Sequence, residues 1–167
     1  MKDEGRRMKA LTICQPYAHL IAAGEKWVEN RTWSTLHRGF LALHAGKSRK
    51  YFASKDEHYP DIAWGAIVAV AILAECLPIS QITAPPNKFR NRGVDALLRA
   101  IRRHAHTEGP WCWVLGGVIR FPTPIPIGGH QGLWNLPEDI ERRVNQAIAD
   151  DLMRSIRRTA RLCTKGT

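Results

Sequence analysis

The sequence predicts an α+β domain, and three features of its 167 residues carry that prediction. Mostly apolar runs at 9–13, 39–45, 62–77 and 111–121 have the length and composition of strands. Segments around 94–101 and from 136 onward have helical spacing of apolar residues instead. Proline and glycine punctuate the junctions, as at Pro16, Gly24 and Pro78, so the two kinds of element are separated by turns.

In chain order, a charged lead-in over 1–8 precedes a short strand over 9–13. Gln15-Pro16 then opens a helix: proline at the first helical position has a suitable fixed φ and lacks a donor that would go unused there. The run 17–23 is apolar enough to pack, and Gly24 is a C-terminal stop. A strand follows from about Lys26. Residues 32–38 are small and polar with no clean period and read as a loop into the largely buried strand 39–45. The polar stretch 48–59 is a surface helix or loop, and 62–77, rich in Ile and Val and closed by Pro78, is a core strand.

Between 83 and 109 the character changes. Pro85-Pro86 and basic residues lead into Val94, Leu97, Leu98 and Ile101, a short amphipathic helix. Residues 84–108 hold six basic against two acidic side chains and so supply four of the ten net positive charges, making this the most basic insert. The run 111–121 is a strand with a bulge or bend at Gly116-Gly117, and the prolines at 122, 124 and 126 make 123–127 an edge or connecting strand. Leu136-Pro137-Glu138-Asp139 begins a last helix, with acidic groups where the helix dipole favours them. Its stripe of Ile140, Val144, Ile148, Leu152 and Ile156 drifts round the axis, because four residues exceed one turn. There is no internal repeat and no second domain.

Composition narrows the function classes. With 44% hydrophobic and 24% charged residues the chain is globular, which excludes wholesale disorder and collagen. The longest nearly apolar run, 62–74, is far short of the roughly 20 residues of a membrane helix. The charged N-terminus is followed by no apolar signal segment. Cys14, Cys76, Cys112 and Cys163 are scattered, with no C-x-x-C pair, so they read as free thiols, with no structural metal and no cofactor. The expectation is a soluble cytoplasmic protein, with a monomer favoured. A net charge of +10 raises the odds of a polyanionic partner, because Lys and Arg on phosphates release counterions.

Five blocks follow one another in a fixed order: Thr12-Ile-Cys-Gln-Pro-Tyr17, Gly24-x-Lys26-x-x-Glu29-x-Arg31, His37-Arg38-Gly39 with Leu43-His44-Ala45, Ile125-Pro-Ile-Gly-Gly129 and Leu133-Trp-Asn-Leu136. This order resembles the ASCH domain family, named for its similarity to part of a transcription coactivator. The resemblance covers 8–136 and leaves 137–167 as a C-terminal amphipathic helix and basic tail. It implies a PUA-like β-barrel with peripheral helices and a cleft facing nucleic acid.

The residues of the motif suit a ligand site. On an extended segment Glu29 and Arg31 share one face, and Lys26 sits at the helix-to-strand junction, so all three can converge. Arg31 or Arg38 can grip a phosphate in bidentate fashion, Lys26 offers a compact charge, and Glu29 can orient the cations or accept from the exocyclic amine of a base. Two cations against one anion leave positive charge for an anionic ligand. The same three side chains also suit a partly buried ion network that pins the strand. By the resemblance Gln15 and Tyr17 border the cleft as hydrogen-bonding group and stacking face, though Tyr17 also suits a core position. His44 is near the cleft with Lys47 just beyond, or is a satisfied core histidine. Trp33, in the loop after Arg31, stacks on a base or packs on the barrel.

Three function classes follow: a module binding RNA, another single-stranded nucleic acid or a nucleotide; a hydrolase of RNA or a modified nucleoside; and a protein-binding adaptor. Relatives with this barrel include RNA-cleaving proteins and amidohydrolases of N4-acetylcytidine, in which the motif lysine is the base. That resemblance makes Lys26 the candidate catalytic residue. Glu29, however, stands where the amidohydrolases carry a threonine nucleophile and cannot act in the same way.

Overall fold

A computed structural model describes residues 7–51, 59, 61–85 and 91–163. The elements are β1 (Lys9–Ile13), α1 (Tyr17–Ala22), β2 (Val28–Arg31), β3 (Gly39–Ala45), β4 (Ala66–Pro78), α2 (Ile79–Thr83), α3 (Arg92–Arg103), β5 (Trp111–Pro126), β6 (Leu133–Asn135) and α4 (Glu138–Cys163). The six strands form one sheet in the order β2-β5-β4-β3-β1-β6, antiparallel throughout except for the parallel pair β1 and β3. The class is α+β, and the sheet curls into a half-barrel.

The curl comes from the two longest strands. Between β4 and β5 the register shifts three times, and each extra residue bends and twists its strand. One shift lies opposite Gly116-Gly117, where the sequence predicts a bulge or bend. Over its first six residues β4 lacks an alternating pattern because both its faces are covered, and beyond Ala71 it alternates, with Ile72 and Ala74 exposed. Val68, Ala71 and Leu73 join Leu11, Ile21 and Trp113 in the core under α1, whereas Ile67 and Val70 join Phe121, Trp134, Ile140 and Val144 in a second core under α4. A third cluster, of Val28, Ile82, Leu98, Ile101 and Cys112, seats α3 on the β2 end of the sheet.

Three features depend on more than the local pattern. β5 runs on through Pro122 and Pro124 to Pro126 as one strand of 16 residues. β2 flanks it only along Trp111 to Val114, so prolines two apart can direct their missing donors to an edge with no neighbour. The short helix α2 follows β4 directly, with Pro78 as its N-cap. The apolar stripe of α4 does not stay on the sheet: Ile140 and Val144 are buried, while Leu152 and Ile156 are 59% and 52% exposed. From β6 to β5 is four strand spacings, roughly 19 Å, which about 13 helical residues span. A helix of 26 residues therefore outruns the sheet. The stretch expected as a surface helix or loop at 48–59 falls mainly outside the described residues.

Candidate functional site

Strand β2 is launched by the turn at Gly24, whose φ of +78° is the left-handed conformation that favours glycine. The turn delivers Lys26 into the protein, where it is 2% exposed. Its Nζ donates to the Val28 carbonyl and, at 2.7 Å, to Glu29 Oε2. Glu29 and Arg31 share one face of the strand. Arg31 Nη2 lies 3.2 Å from Glu29 Oε1 and donates to the Thr12 carbonyl at 2.8 Å. Glu29 thus holds one cation with each oxygen. Arg31 Nε is buried with no partner among the described residues, so the guanidinium keeps an uncommitted donor.

These side chains form the floor of a cavity of about 300 Å³, whose walls come from Cys14, Tyr17, Asn30, Tyr51, His106 and Glu108. The Tyr17 ring stands 5.6 Å from Lys26 Nζ, with the rings of Tyr51 and His106 centred 5.8 and 5.9 Å away. Burial pushes the Tyr17 hydroxyl above its ordinary range, and the Glu108 carboxylate adds to this, so the phenol is a protonated donor at neutral pH.

One wall comes from the loop that follows α3. Asn30 alternates with Glu29 and Arg31, so it reaches this loop while they face the floor. Its Nδ2 donates to the His106 carbonyl at 2.7 Å, and its Oδ1 accepts from the backbone N–H groups of Glu108 and Gly109 at 3.1 and 3.0 Å. His104 supports the same loop by accepting the His106 N–H at Nδ1, 3.2 Å away. Burial lowers the His104 pKa, His106 and Lys26 lower it further, and a hydrogen bond to the Glu25 backbone opposes them.

Glu108 changes the charge expected from the motif alone. The lining now sets Lys26 and Arg31 against Glu29 and Glu108, so no formal positive charge is left over while His106 is neutral. Positive charge gathers instead along 47–50: Lys47 is exposed, Arg49 lies over the Trp64 ring and Lys50 over that of Tyr51, at 4.9 and 5.2 Å.

Of the residues selected from sequence, Tyr17, Lys26, Glu29 and Arg31 come together at this cavity. Lys47 is on the surface beyond β3. Gln15 is fully buried, donating to the Ala63 carbonyl at 2.6 Å and accepting the His19 N–H at 2.9 Å. Trp33 packs edge-on against Trp113, 4.7 Å between centres. Arg38 pairs with Glu75 at 3.1 Å and also donates to the Thr35 and His37 carbonyls. His44 is 2% exposed, its Nε2 3.0 Å from the Ile127 carbonyl. Burial lowers its pKa, the Ile127 bond opposes this, and His130 and Lys47 add to the lowering. Gln15, Trp33, Arg38 and His44 do not line the cavity.

Sequence reasoning missed Cys14, Asn30, Tyr51, His106 and Glu108. Asn30 had a signal, being a residue type depleted in strands yet placed between two charged residues of one. His106 and Glu108 had none, since only the fold brings the end of the insert back to β2. Among the described residues no group of three or more His, Cys, Asp and Glu could hold a metal. No described helix is long and apolar enough to cross a membrane.

The curled six-stranded half-barrel with its helices matches the PUA-like fold. The chain belongs to the ASCH domain family, whose profile matches residues 11–113. It is 23% identical over 152 aligned positions to human activating signal cointegrator 1, covering 83% of this chain but only 24% of that protein's length. Two variants of the Zymomonas mobilis ASCH protein have similar crystal structures, each with a TM-score of 0.50. Identities are 13% and 15%, covering 84% of this chain and 98% and 96% of theirs. At those identities the likeness concerns the fold.

Proposed function

We propose that this ASCH domain binds single-stranded nucleic acid, RNA foremost, by taking one unstacked base into the cavity. The observation that carries the reading is the Tyr17 ring standing over a floor of Lys26, Glu29 and Arg31 in a space of about 300 Å³. That volume lies at the small end of ligand pockets and suits a base or nucleoside. Recognition of RNA commonly takes this form, with a base splayed out, stacked on an aromatic side chain and hydrogen-bonded at its edge. The balanced charge of the lining suits a neutral heterocycle better than a phosphate. Phosphates would instead lie along the exposed basic run of Lys47, Arg49 and Lys50, in which Lys50 stands over the Tyr51 ring of the cavity wall.

In this reading Tyr17 stacks, Arg31 and Lys26 donate, and Glu29 orients both. Gln15, Trp33, Arg38 and His44 belong to the scaffold. Lys26 has two of its three donors engaged inside the protein, which favours a binding role over a hydrolytic one.

The test is a titration of labelled single-stranded RNA by fluorescence anisotropy at several salt concentrations. With about three phosphates neutralised, the logarithm of affinity should fall against the logarithm of salt with a slope of about −2. Tyr17→Ala should weaken binding roughly 5- to 150-fold through lost stacking. Absence of binding at low salt would overturn the proposal.

A further inference from the structure

The insert loop gives the cavity its free acceptor. Both oxygens of Glu29 are engaged, one by Lys26 and the other by Arg31. Glu108 differs: it is exposed at the mouth, close enough to raise the pKa of Tyr17, and it is joined to the rest of the protein through its backbone N–H on Asn30. Its carboxylate is therefore available to a ligand. A carboxylate only accepts, so it favours a base edge that presents an amine and disfavours one that presents a carbonyl. Arg31 lines the same cavity, and its guanidinium can only donate. An acceptor and a donor together match an exocyclic amine beside a ring nitrogen, the pattern shared by cytosine and adenine.

The loop's position depends on one side chain. Asn30 makes three hydrogen bonds to the main chain of residues 106 to 109. Its amide matches that set because it both donates and accepts. No other residue type of its size does both in one plane.

We propose that Glu108 reads the exocyclic amine of the bound base and that Asn30 is the positioning residue that holds it in place, so the domain prefers cytosine and adenine to uracil. This rests on the base-binding reading above and names the class of base it takes. Cytosine and uracil are the sharpest pair, since they stack alike and differ at the amine.

The test compares oligo(rC) with oligo(rU) of equal length and salt, titrated into the full chain. Wild type should bind oligo(rC) about tenfold more tightly. Glu108→Gln, which keeps shape but adds a donor, should bring the two affinities within about twofold. Asn30→Ala should narrow the ratio in the same way, and Asn30→Asp, which keeps the acceptor but loses the donor to the His106 carbonyl, should fall between. A loop with a merely structural role would change both affinities together and leave the ratio intact. Equal affinity for the two oligomers in wild type, or a ratio unchanged by Glu108→Gln, overturns this inference and leaves base binding standing. No binding of either oligomer overturns both.

Discussion

Two clusters of buried polar side chains lie on either side of Thr12, and they differ in what they leave open. The Thr12 carbonyl accepts from Arg31, which with Glu29 and Lys26 faces a cavity. The Thr12 hydroxyl donates to the His130 carbonyl at 2.8 Å and accepts from Trp134 Nε1 at 3.3 Å, next to His44. In this second cluster the space is filled: a Cβ on Gly129 would lie 2.4 Å from His44 Cε1 and 2.8 Å from Thr12 Oγ1. Burial and charge are therefore poor signs of a binding site by themselves. The open cavity is the better sign, since a buried nitrogen without a partner among the described residues occurs in both clusters, Arg31 Nε in one and His44 Nδ1 in the other.

The comparison breaks most visibly at Glu29. Removing its carboxylate by Glu29→Ala leaves Lys26 buried without its counter-charge and should destabilise the domain by about 3–5 kcal/mol, measured by urea unfolding. A loss below about 1 kcal/mol would mean that water reaches Lys26 freely. On the packed side, Gly129→Ala forces His44 or Thr12 to move and should cost about 1–3 kcal/mol in the same assay. Affinity for RNA per folded molecule should stay the same.

The smallest effect is on pH dependence. The His44 pKa is lowered in the folded state, so as pH falls through its ordinary value of roughly 6.5 the unfolded chain takes up a proton first. Stability then falls with decreasing pH until the depressed folded value is reached. His44→Gln should reduce the drop in melting temperature between pH 7 and pH 5, although His19 and His104, lowered mainly by burial as well, keep part of it. A steeper drop in the variant would contradict this assignment.

Much of the architecture is legible in the sequence because its signals are local. The strand over Gly39–Ala45 and the start of β1 follow from apolar runs, and Gly24 marks the end of α1 within two residues. The floor of the cavity is legible for the same reason, since Lys26, Glu29 and Arg31 belong to one strand and its entry turn. The missing parts depend on distant chain. The prolines of β5 are tolerated because β2 is short, and α4 leaves the sheet because the sheet is narrower than the helix is long. The neutral lining of the cavity could not be read from the motif, because Glu108 arrives from an insert 79 residues beyond Glu29 whose net charge is basic.

One binding measurement sets the two clusters side by side. Wild type, Tyr17→Ala and Gly129→Ala are titrated with the same labelled single-stranded RNA at one salt concentration, with affinities corrected for the folded fraction. Tyr17→Ala alone should lose affinity, by roughly 5- to 150-fold. Loss in Gly129→Ala with full binding in Tyr17→Ala would contradict it.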